Sequence, residues 1–156
     1  MKKKQIYISV IGGHKVEKNI YKFAYEFGKK AAEKGWIIVC GGLGGVMEAV
    51  SKGVNEKKGV AIGILPQDNR DKGNEYLSFS ISTGLGWMRN SLVVMNGDIV
   101  VAINGSYGTL SEISYALIMG KKVFSYKSWE IEGVENISDL DELIGKIDSY
   151  LENAEL

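Results

Sequence analysis

The stretch DIVVAINGSYGTLSEI (residues 98–113) joins an apolar run, a glycine-rich turn and the start of a helical pattern. Its first six residues are nearly all apolar, which predicts a central strand that is covered on both faces of a sheet. After the turn, Leu110, Ile113 and Leu117 recur at the spacing of one helix face, and Gly120 provides the stop. The stretch therefore predicts a strand, a turn and a helix, and it raises the question whether the turn also binds a ligand.

The same alternation of strands and helices continues on both sides of this stretch. Apolar, β-rich segments predict further strands at 5–11, 36–40, 59–65, 79–83 and 122–126. Amphipathic patterns predict helices with these inward-facing residues: Ile20, Phe23, Ala24, Phe27 and Ala31; Met47, Val50 and Val54; Met88, Leu92 and Met95; and Leu140, Leu143, Ile144, Ile147 and Leu151. The last helix opens at Ser138, with Asp141 three residues on, in a capping-box pattern. We therefore expect one Rossmann-like α/β domain over residues 1–156, with a parallel sheet and helices on both faces.

The composition argues against several classes of function. Nineteen basic and nineteen acidic residues cancel, so the chain lacks the charge expected of a protein that binds nucleic acid or an anionic membrane. No apolar run is long enough to span a membrane, and the MKKK start lacks the apolar region of a signal peptide. Cys40 and His14 are the only residues of their types, so we expect no disulfide, no metal site and a cytoplasmic location.

Glycine-rich loops follow three of the predicted strands, at 11–15, 40–45 and 103–109. In parallel sheets ligands bind beyond the carboxyl ends of strands, where helix N-termini present free N–H groups and suit a phosphate. The candidate binding residues are Gly12, Gly13, Gly42, Gly44, Gly45, Gly105, Ser106, Tyr107, Gly108 and Thr109. Each loop alone also fits an ordinary turn, but three such loops in one sheet favour a ligand that carries phosphate.

Two common nucleotide-binding motifs are absent from these loops. GGLGG (41–45) is followed by Met47 where the third glycine of a dinucleotide-binding GxGxxG motif belongs. The P-loop pattern GxxxxGK[ST] does not occur in the chain. We therefore expect neither a dinucleotide nor the nucleoside triphosphate of a P-loop enzyme.

Three residues outside the glycines are candidates for a role at the cleft. Thr109 and Glu112 have the spacing of a capping box with Thr109 as the N-cap, so this pair predicts a helix start, a site, or both. Arg89 is one of only two arginines and follows the end of a predicted strand. Its planar guanidinium suits a phosphate or a base edge better than a lysine would.

Three segments together carry a resemblance to a known family: GGLGGVMEAVSKG (41–53), GILPQD (63–68) and MRNSLVVMNGDIVVAINGSYGTLSEI (88–113). They resemble the LOG-like (LONELY GUY) proteins, which once carried a lysine decarboxylase label and belong to a wider group that includes DNA-processing protein A. The resemblance covers residues 5–125, and the family signature PGGxGTxxE corresponds to residues 104–112. It implies an enzyme that cleaves the N-glycosidic bond of nucleoside 5′-monophosphates and releases the base and ribose 5-phosphate.

The resemblance also implies roles for individual residues. Gly105, Ser106, Gly108 and Thr109 would hold the 5′-phosphate through backbone N–H groups and a hydroxyl, and Arg89 would contact the nucleotide. Glu112 would face the ribose, with Arg89 and Glu112 as the catalytic pair. A carboxylate suits that position because positive charge develops at the anomeric carbon during glycosidic cleavage.

The chain departs from the hydrolase pattern at three positions. Asn90 stands where the family has a lysine, and Asn104 and Ser106 replace the proline and second glycine of the signature. Together with STGLGWMRN (82–90), these departures resemble a sister branch that includes molybdenum-cofactor carrier proteins, which hold a phosphorylated pterin without cleaving it. A phosphoribohydrolase and a non-catalytic carrier therefore both stay open, neither requiring a further cofactor, and a purely structural domain is a third alternative.

Apolar side chains outside the predicted core stripes favour a homodimer or homotetramer. Trp87 and Val94 lie on one predicted helix, and Tyr115 and Met119 on another. An extra apolar face is commonly covered by a symmetric partner, and relatives that resemble this chain form dimers or dimers of dimers. The alternative is that these side chains pack beneath the loop at 66–77.

Overall fold

The computed structural model describes residues 3–154, and these form one seven-stranded sheet whose strands all run parallel. The strands are β1 (Tyr7–Gly12), β2 (Ile37–Cys40), β3 (Ala61–Leu65), β4 (Phe79–Ser82), β5 (Ile99–Ile103), β6 (Lys122–Tyr126) and β7 (Val134–Asn136). Their order is β4-β3-β2-β1-β5-β6-β7, so the chain reverses its direction of travel across the sheet between β1 and β5. This switch point is where ligands bind in such sheets.

Helices cover both faces of the sheet. They are α1 (Lys18–Glu33), α2 (Val46–Glu56), α3 (Asn90–Met95), α4 (Tyr107–Ile118) and α5 (Leu140–Asn153), with 3₁₀ turns at Arg70–Lys72 and Gly86–Arg89. On one face, Phe27, Val50 and Leu143 from α1, α2 and α5 share a single apolar core. On the other, Val93 and Ile113 from α3 and α4 share a second core. The predicted Rossmann-like α/β fold is therefore confirmed.

The central strand β5 joins the two cores. All five of its residues are buried, and it pairs with β1 on one side and β6 on the other. Alternate residues contribute to opposite faces, since Val101 packs in one core and Val100 in the other. The prediction of a strand covered on both faces is confirmed, and the loop after β5 is thereby held at a rigid edge.

One local prediction is wrong by one residue along the chain, and one short strand was not predicted. The N-cap of α5 is Asp139 and not Ser138, because the Asp139 carboxylate accepts a hydrogen bond from the Glu142 N–H at 2.8 Å. The Ser138 N–H in turn donates to Glu142 Oε2 at 2.8 Å, so the capping pair lies one residue later than predicted. The edge strand β7 was not predicted, because its three residues are too few to show a periodic pattern.

The predicted inward face of α3 is also wrong. Met88 and Met95 are 70% and 51% exposed, whereas Val94, which was placed outside the core, is fully buried. The helix has only six residues and continues directly from the turn on which Arg89 is buried. The burial of Arg89 therefore orients the helix, and an apolar stripe does not. In the described part of the chain, each helix is too short or too polar to cross a lipid bilayer.

Candidate functional site

A cavity of about 260 Å³ lies at the switch point, beyond the carboxyl ends of β1 and β5. Its walls come from the loops after β1, β2 and β5, from the turn before α3 and from the first two turns of α4. Gly12 at the end of β1 is required here, because a Cβ at this position would overlap the carbonyl oxygen of Ile103 on β5. The glycine therefore lets the two strand ends that form the base of the cavity approach each other.

The loop between β5 and α4 is shaped by a glycine and held by the segment after β6. Gly105 has φ +103°, and a Cβ there would overlap the side chain of Thr109. The Ser128 hydroxyl donates to the Asn104 carbonyl at 2.6 Å, and the Trp129 indole N–H donates to the Ser106 carbonyl at 2.9 Å. These contacts hold the loop so that the start of α4 lies against the cavity.

The N-terminus of α4 presents free N–H groups to the cavity. Ser106 is the N-cap, and the first hydrogen bond of the helix runs from the Leu110 N–H to the Ser106 carbonyl at 2.9 Å. The N–H groups of Tyr107, Gly108 and Thr109 precede that bond and have no carbonyl partner within the helix. Together with the positive end of the helix dipole, they form a site suited to an anion.

The predicted capping box of Thr109 and Glu112 is wrong. Because α4 begins at Tyr107, Thr109 lies inside its first turn and Glu112 lies in its second. Both side chains face the cavity and are nearly buried, with exposed fractions of 3% and 7%. The pair therefore contributes to the cleft and does not cap the helix.

The Arg89 guanidinium is buried and is held by three protein acceptors. Its Nε donates to the Ile64 carbonyl at 2.9 Å, and its Nη2 donates to the Gly41 carbonyl at 3.3 Å. Its Nη1 donates to the Asn90 side-chain oxygen. A guanidinium has five N–H donors, so these bonds leave donors for a ligand in the cavity that Arg89 lines. Burial lowers the pKa of Arg89, and the nearby Glu112 carboxyl partly offsets that effect.

Glu112 is the acidic group of the cavity. Burial raises its pKa to about 8, although the positive charge of Arg89 acts in the opposite direction. No ion pair within 4.0 Å joins Glu112 to a cation of residues 3–154. At pH 7 its carboxyl is therefore mainly protonated and can donate a hydrogen bond to a ligand.

A chain of hydrogen bonds connects Arg89 with the first turn of α4. Asn90 accepts from Arg89 and donates through Nδ2 to the Ser111 hydroxyl at 3.1 Å. The Ser111 hydroxyl donates to the Gly108 carbonyl at 2.6 Å. The Asn90 side chain is almost fully buried, so it joins the cation and the anion-binding turn into one unit.

Known proteins resemble this chain in sequence over most of its length. The SLOG cluster4 family matches residues 5–150 of the chain. The chain belongs to this family. An uncharacterized protein of Archaeoglobus fulgidus is 42% identical over 124 residues, which cover 80% of this SLOG cluster4 protein and 82% of the relative.

Several solved structures resemble this SLOG cluster4 protein. The molybdenum cofactor binding protein from Rippkaea orientalis has a TM-score of 0.90 and 31% identity, covering 96% of this chain and 99% of that one. The molybdenum cofactor carrier protein from Chlamydomonas reinhardtii has a TM-score of 0.87 and 28% identity, covering 95% and 99%. DNA processing protein A from Helicobacter pylori shares the fold alone, with a TM-score of 0.73 and 16% identity, covering 92% and 80%. The resemblance to the branch of the carrier proteins is therefore confirmed.

The structure of this SLOG cluster4 protein brings most of the predicted site residues together. Those that line the cavity are Gly12, Gly13, Arg89, Ser106, Gly108, Thr109 and Glu112. Those that do not line it are Gly42, Gly44, Gly45, Gly105 and Tyr107. The glycines of this second group shape the loops instead; Gly42, for example, accepts a hydrogen bond from the Asn74 N–H at 2.8 Å. Tyr107 is 80% exposed and points its ring towards Trp129, at 6.0 Å between centroids.

Other cavity residues were not among the predicted site residues. These are His14, Leu43, Met47, Trp87 and Asn90. His14 directly follows the glycine pair at the end of β1, and Trp87 lies two residues before Arg89. Their positions next to predicted site residues could therefore have indicated both. Met47 and Leu43 carried no such signal, because apolar side chains beside glycines are typical of ordinary core packing as well.

Proposed function

We propose that this SLOG cluster4 protein binds a phosphorylated pterin of the molybdenum-cofactor type in the cavity at the switch point, and holds it without cleaving it. The main support is the likeness, over nearly the whole of both chains, to a protein that binds the molybdenum cofactor. A cytoplasmic location, which the single cysteine led us to expect, is part of the same proposal.

In this proposal the phosphate lies at the N-terminus of α4. The free N–H groups of the first turn would bind its oxygens, and the hydroxyl groups of Ser106 and Thr109 line the same wall. Arg89, which also lines the cavity, supplies the positive charge through the donors that its protein contacts leave free. Such a site would recognise a phosphate monoester whatever organic group it carries.

The protonation of Glu112 favours holding a ligand over cleaving it. Stabilisation of positive charge on a ribose requires the carboxylate form, whereas the buried carboxyl of Glu112, with its pKa of about 8, is mainly neutral at pH 7. A neutral carboxyl donates a hydrogen bond, which suits a carbonyl or ring nitrogen of a pterin. The lysine of the hydrolase pattern is replaced by Asn90, which removes a further charge from the cavity.

Hydrolysis of a nucleoside 5′-monophosphate is the second candidate function. One observation favours it: the Glu112 carboxyl lines the cavity in the same wall as the anion-binding turn of α4. If the protein is such an enzyme, the rate of base release rises as the pH passes through about 8, because ionisation produces the required carboxylate. Incubation of concentrated protein with a panel of monophosphates across this pH range tests the activity directly.

Native mass spectrometry of freshly purified protein tests the carrier function. We expect a bound species with the mass of a phosphorylated pterin, and stabilisation of the protein against heat when that species is retained. A Glu112→Gln variant keeps the bound species, because a carboxamide has the shape and the donor of a protonated carboxyl. Free base from any monophosphate, together with loss of that activity in Glu112→Gln, would instead establish the hydrolase.

A further inference from the structure

Trp87 is a large aromatic residue that lines the cavity and is nevertheless 80% exposed. Tryptophan side chains usually bury most of their apolar surface, so an exposed indole at the mouth of a cavity is a surface available to a ligand. The other apolar side chains of this cavity, Leu43 and Met47, are more deeply placed, and Met47 is only 8% exposed. The cavity therefore has an anion-binding end at α4 and an open aromatic surface at its mouth.

The backbone holds Trp87 close to the anion-binding residues. Gly84 and Gly86 have φ of +65° and +58°, and the Gly86 N–H donates to the Pro66 carbonyl at 3.0 Å, which fixes the 3₁₀ turn. Trp87 lies on that turn two residues before the buried Arg89. A Cβ on Gly108 would lie 3.3 Å from Cζ3 of the indole, so the edge of the ring rests against the first turn of α4.

We infer that Trp87 is the residue on which the planar ring of the ligand stacks while the phosphate of the same ligand binds at the N-terminus of α4. This inference rests on the proposed function, and it adds the residue that binds the heteroaromatic ring of the ligand. Stacking on an indole is attractive for a flat heteroaromatic ring, including that of a pterin or a purine. The phosphate site alone would not distinguish such a ligand from a sugar phosphate.

A pair of probes separates the contribution of the ring from that of the phosphate. Guanosine 5′-monophosphate carries a phosphate and a fused 2-amino-oxo ring like that of a pterin, whereas ribose 5-phosphate carries the phosphate and sugar alone. Titration calorimetry with the native protein, Trp87→Ala, Trp87→Phe and Met88→Ala gives the affinity of both probes. Met88 is the matched control, because it lies on the same turn and is 70% exposed but does not line the cavity.

We expect guanosine 5′-monophosphate to bind the native protein about tenfold more tightly than ribose 5-phosphate, a ratio within the range of one stacked base. Trp87→Ala weakens the binding of guanosine 5′-monophosphate and leaves the affinity for ribose 5-phosphate unchanged, so the ratio of the two affinities falls to about one. Trp87→Phe keeps most of the ratio, and Met88→Ala keeps all of it. Because Trp87 is largely exposed, thermal unfolding of the alanine variant should match that of the native protein.

Other results would overturn the inference in distinguishable ways. If the native protein binds both probes equally, or if Trp87→Ala weakens both to the same extent, the ring does not stack on Trp87 although the phosphate site stands. If Met88→Ala behaves like Trp87→Ala, the turn belongs to a protein contact and the inference is wrong. If neither probe binds the native protein, the phosphate site fails, and the proposed function and the inference fall together.

Discussion

Glu112 is buried, and Arg89 is the one cation among residues 3–154 that lowers its pKa. Its pKa is raised from 4.5 to about 8, so between these pH values the folded protein holds a proton that the unfolded chain has released. The free energy of unfolding contributed by this group is therefore fully present below pH 4.5, and it is lost as the pH rises through about 8. The carboxyl therefore lowers the stability of the fold at neutral pH, a cost that a role in ligand binding would explain.

Glu112→Gln removes this pH dependence. We expect the variant to gain stability relative to the native protein between pH 5 and 8, reaching on the order of a few kcal/mol before levelling off at higher pH, because glutamine does not ionise. Urea unfolding of both proteins at several pH values measures the difference. If the free energies of unfolding of the two proteins differ by the same amount at every pH in this range, Glu112 ionises normally in the folded protein.

Arg89→Lys tests the fork-shaped contacts of the buried cation. A lysine ammonium cannot reach the Ile64 and Gly41 carbonyls and the Asn90 side chain together, so buried acceptors lose their partners. We expect a loss of roughly 1–3 kcal/mol in stability and weaker binding of guanosine 5′-monophosphate. Arg70→Lys, in an exposed loop, is the control and should change neither quantity measurably. Equal behaviour of the two variants would contradict the assigned contacts.

The first two turns of α4 act as a unit with the turn before α3. The anion-binding N–H groups, Thr109 and Glu112 belong to α4, and the chain of hydrogen bonds through Asn90 and Ser111 connects them to Arg89. Neither helix alone contains both the cation and the free N–H groups. The packing of α3 against α4 on one face of the sheet therefore brings the cation next to the anion-binding turn.

Ser111→Ala interrupts this chain of hydrogen bonds without touching the cavity wall. We expect guanosine 5′-monophosphate to bind about three- to tenfold more weakly, because Asn90 loses its acceptor and the Gly108 carbonyl loses its donor. Ser114→Ala is the matched control, since that hydroxyl also donates to a backbone carbonyl, of Leu110, but on the exposed side of the helix. Titration of both variants with guanosine 5′-monophosphate measures the two affinities. An equal loss of affinity in both would show that Ser111 has no positioning role.

The face of the molecule formed by α3, α4 and the edge strand β4 exposes many large apolar side chains. They are Phe79, Ile81, Leu85, Trp87, Met88, Met95, Tyr107, Tyr115 and Ile118. The prediction of a homodimer or homotetramer rested partly on Val94, which is buried in its own core, and on Met119, which is half-buried. Without Trp87, which lines the cavity, eight exposed apolar side chains remain on this face, so association of copies through it stays a prediction.

Light scattering after size exclusion measures the mass of the native protein. We expect a multiple of 17.1 kDa at micromolar concentration. Ile118→Glu places a charge on the 80% exposed site of α4 and should shift the mass to that of one chain. Ser149→Glu, on α5 at the opposite face of the sheet, should leave the mass unchanged. A single-chain mass for the native protein would contradict the prediction.

Much of the fold could be predicted because local periodicity records which faces of an element are apolar. The patterns around Ile20 and Phe27 and the continuous apolar run of β5 predicted the helices, the parallel sheet and the edge of the sheet at which the cavity lies. The glycine-rich loops and Arg89 then predicted where much of the candidate site lies. The face of α3 was predicted wrongly, because a six-residue helix that directly follows a buried arginine has too few positions for an apolar stripe.

The chemistry of the site depends on contacts that no local pattern contains. Arg89 donates to the carbonyl of Gly41, 48 residues away, and Asn90 reaches Ser111, 21 residues away. The pKa of Glu112 is raised for a similar reason, because other elements of the fold exclude water from its carboxyl. Sequence pattern therefore determined the architecture and the location of the cleft, since periodicity and turn residues act over a few positions. Desolvation and hydrogen-bond partners were decided by tertiary packing, because they depend on groups that meet only when the sheet and its two layers of helices assemble.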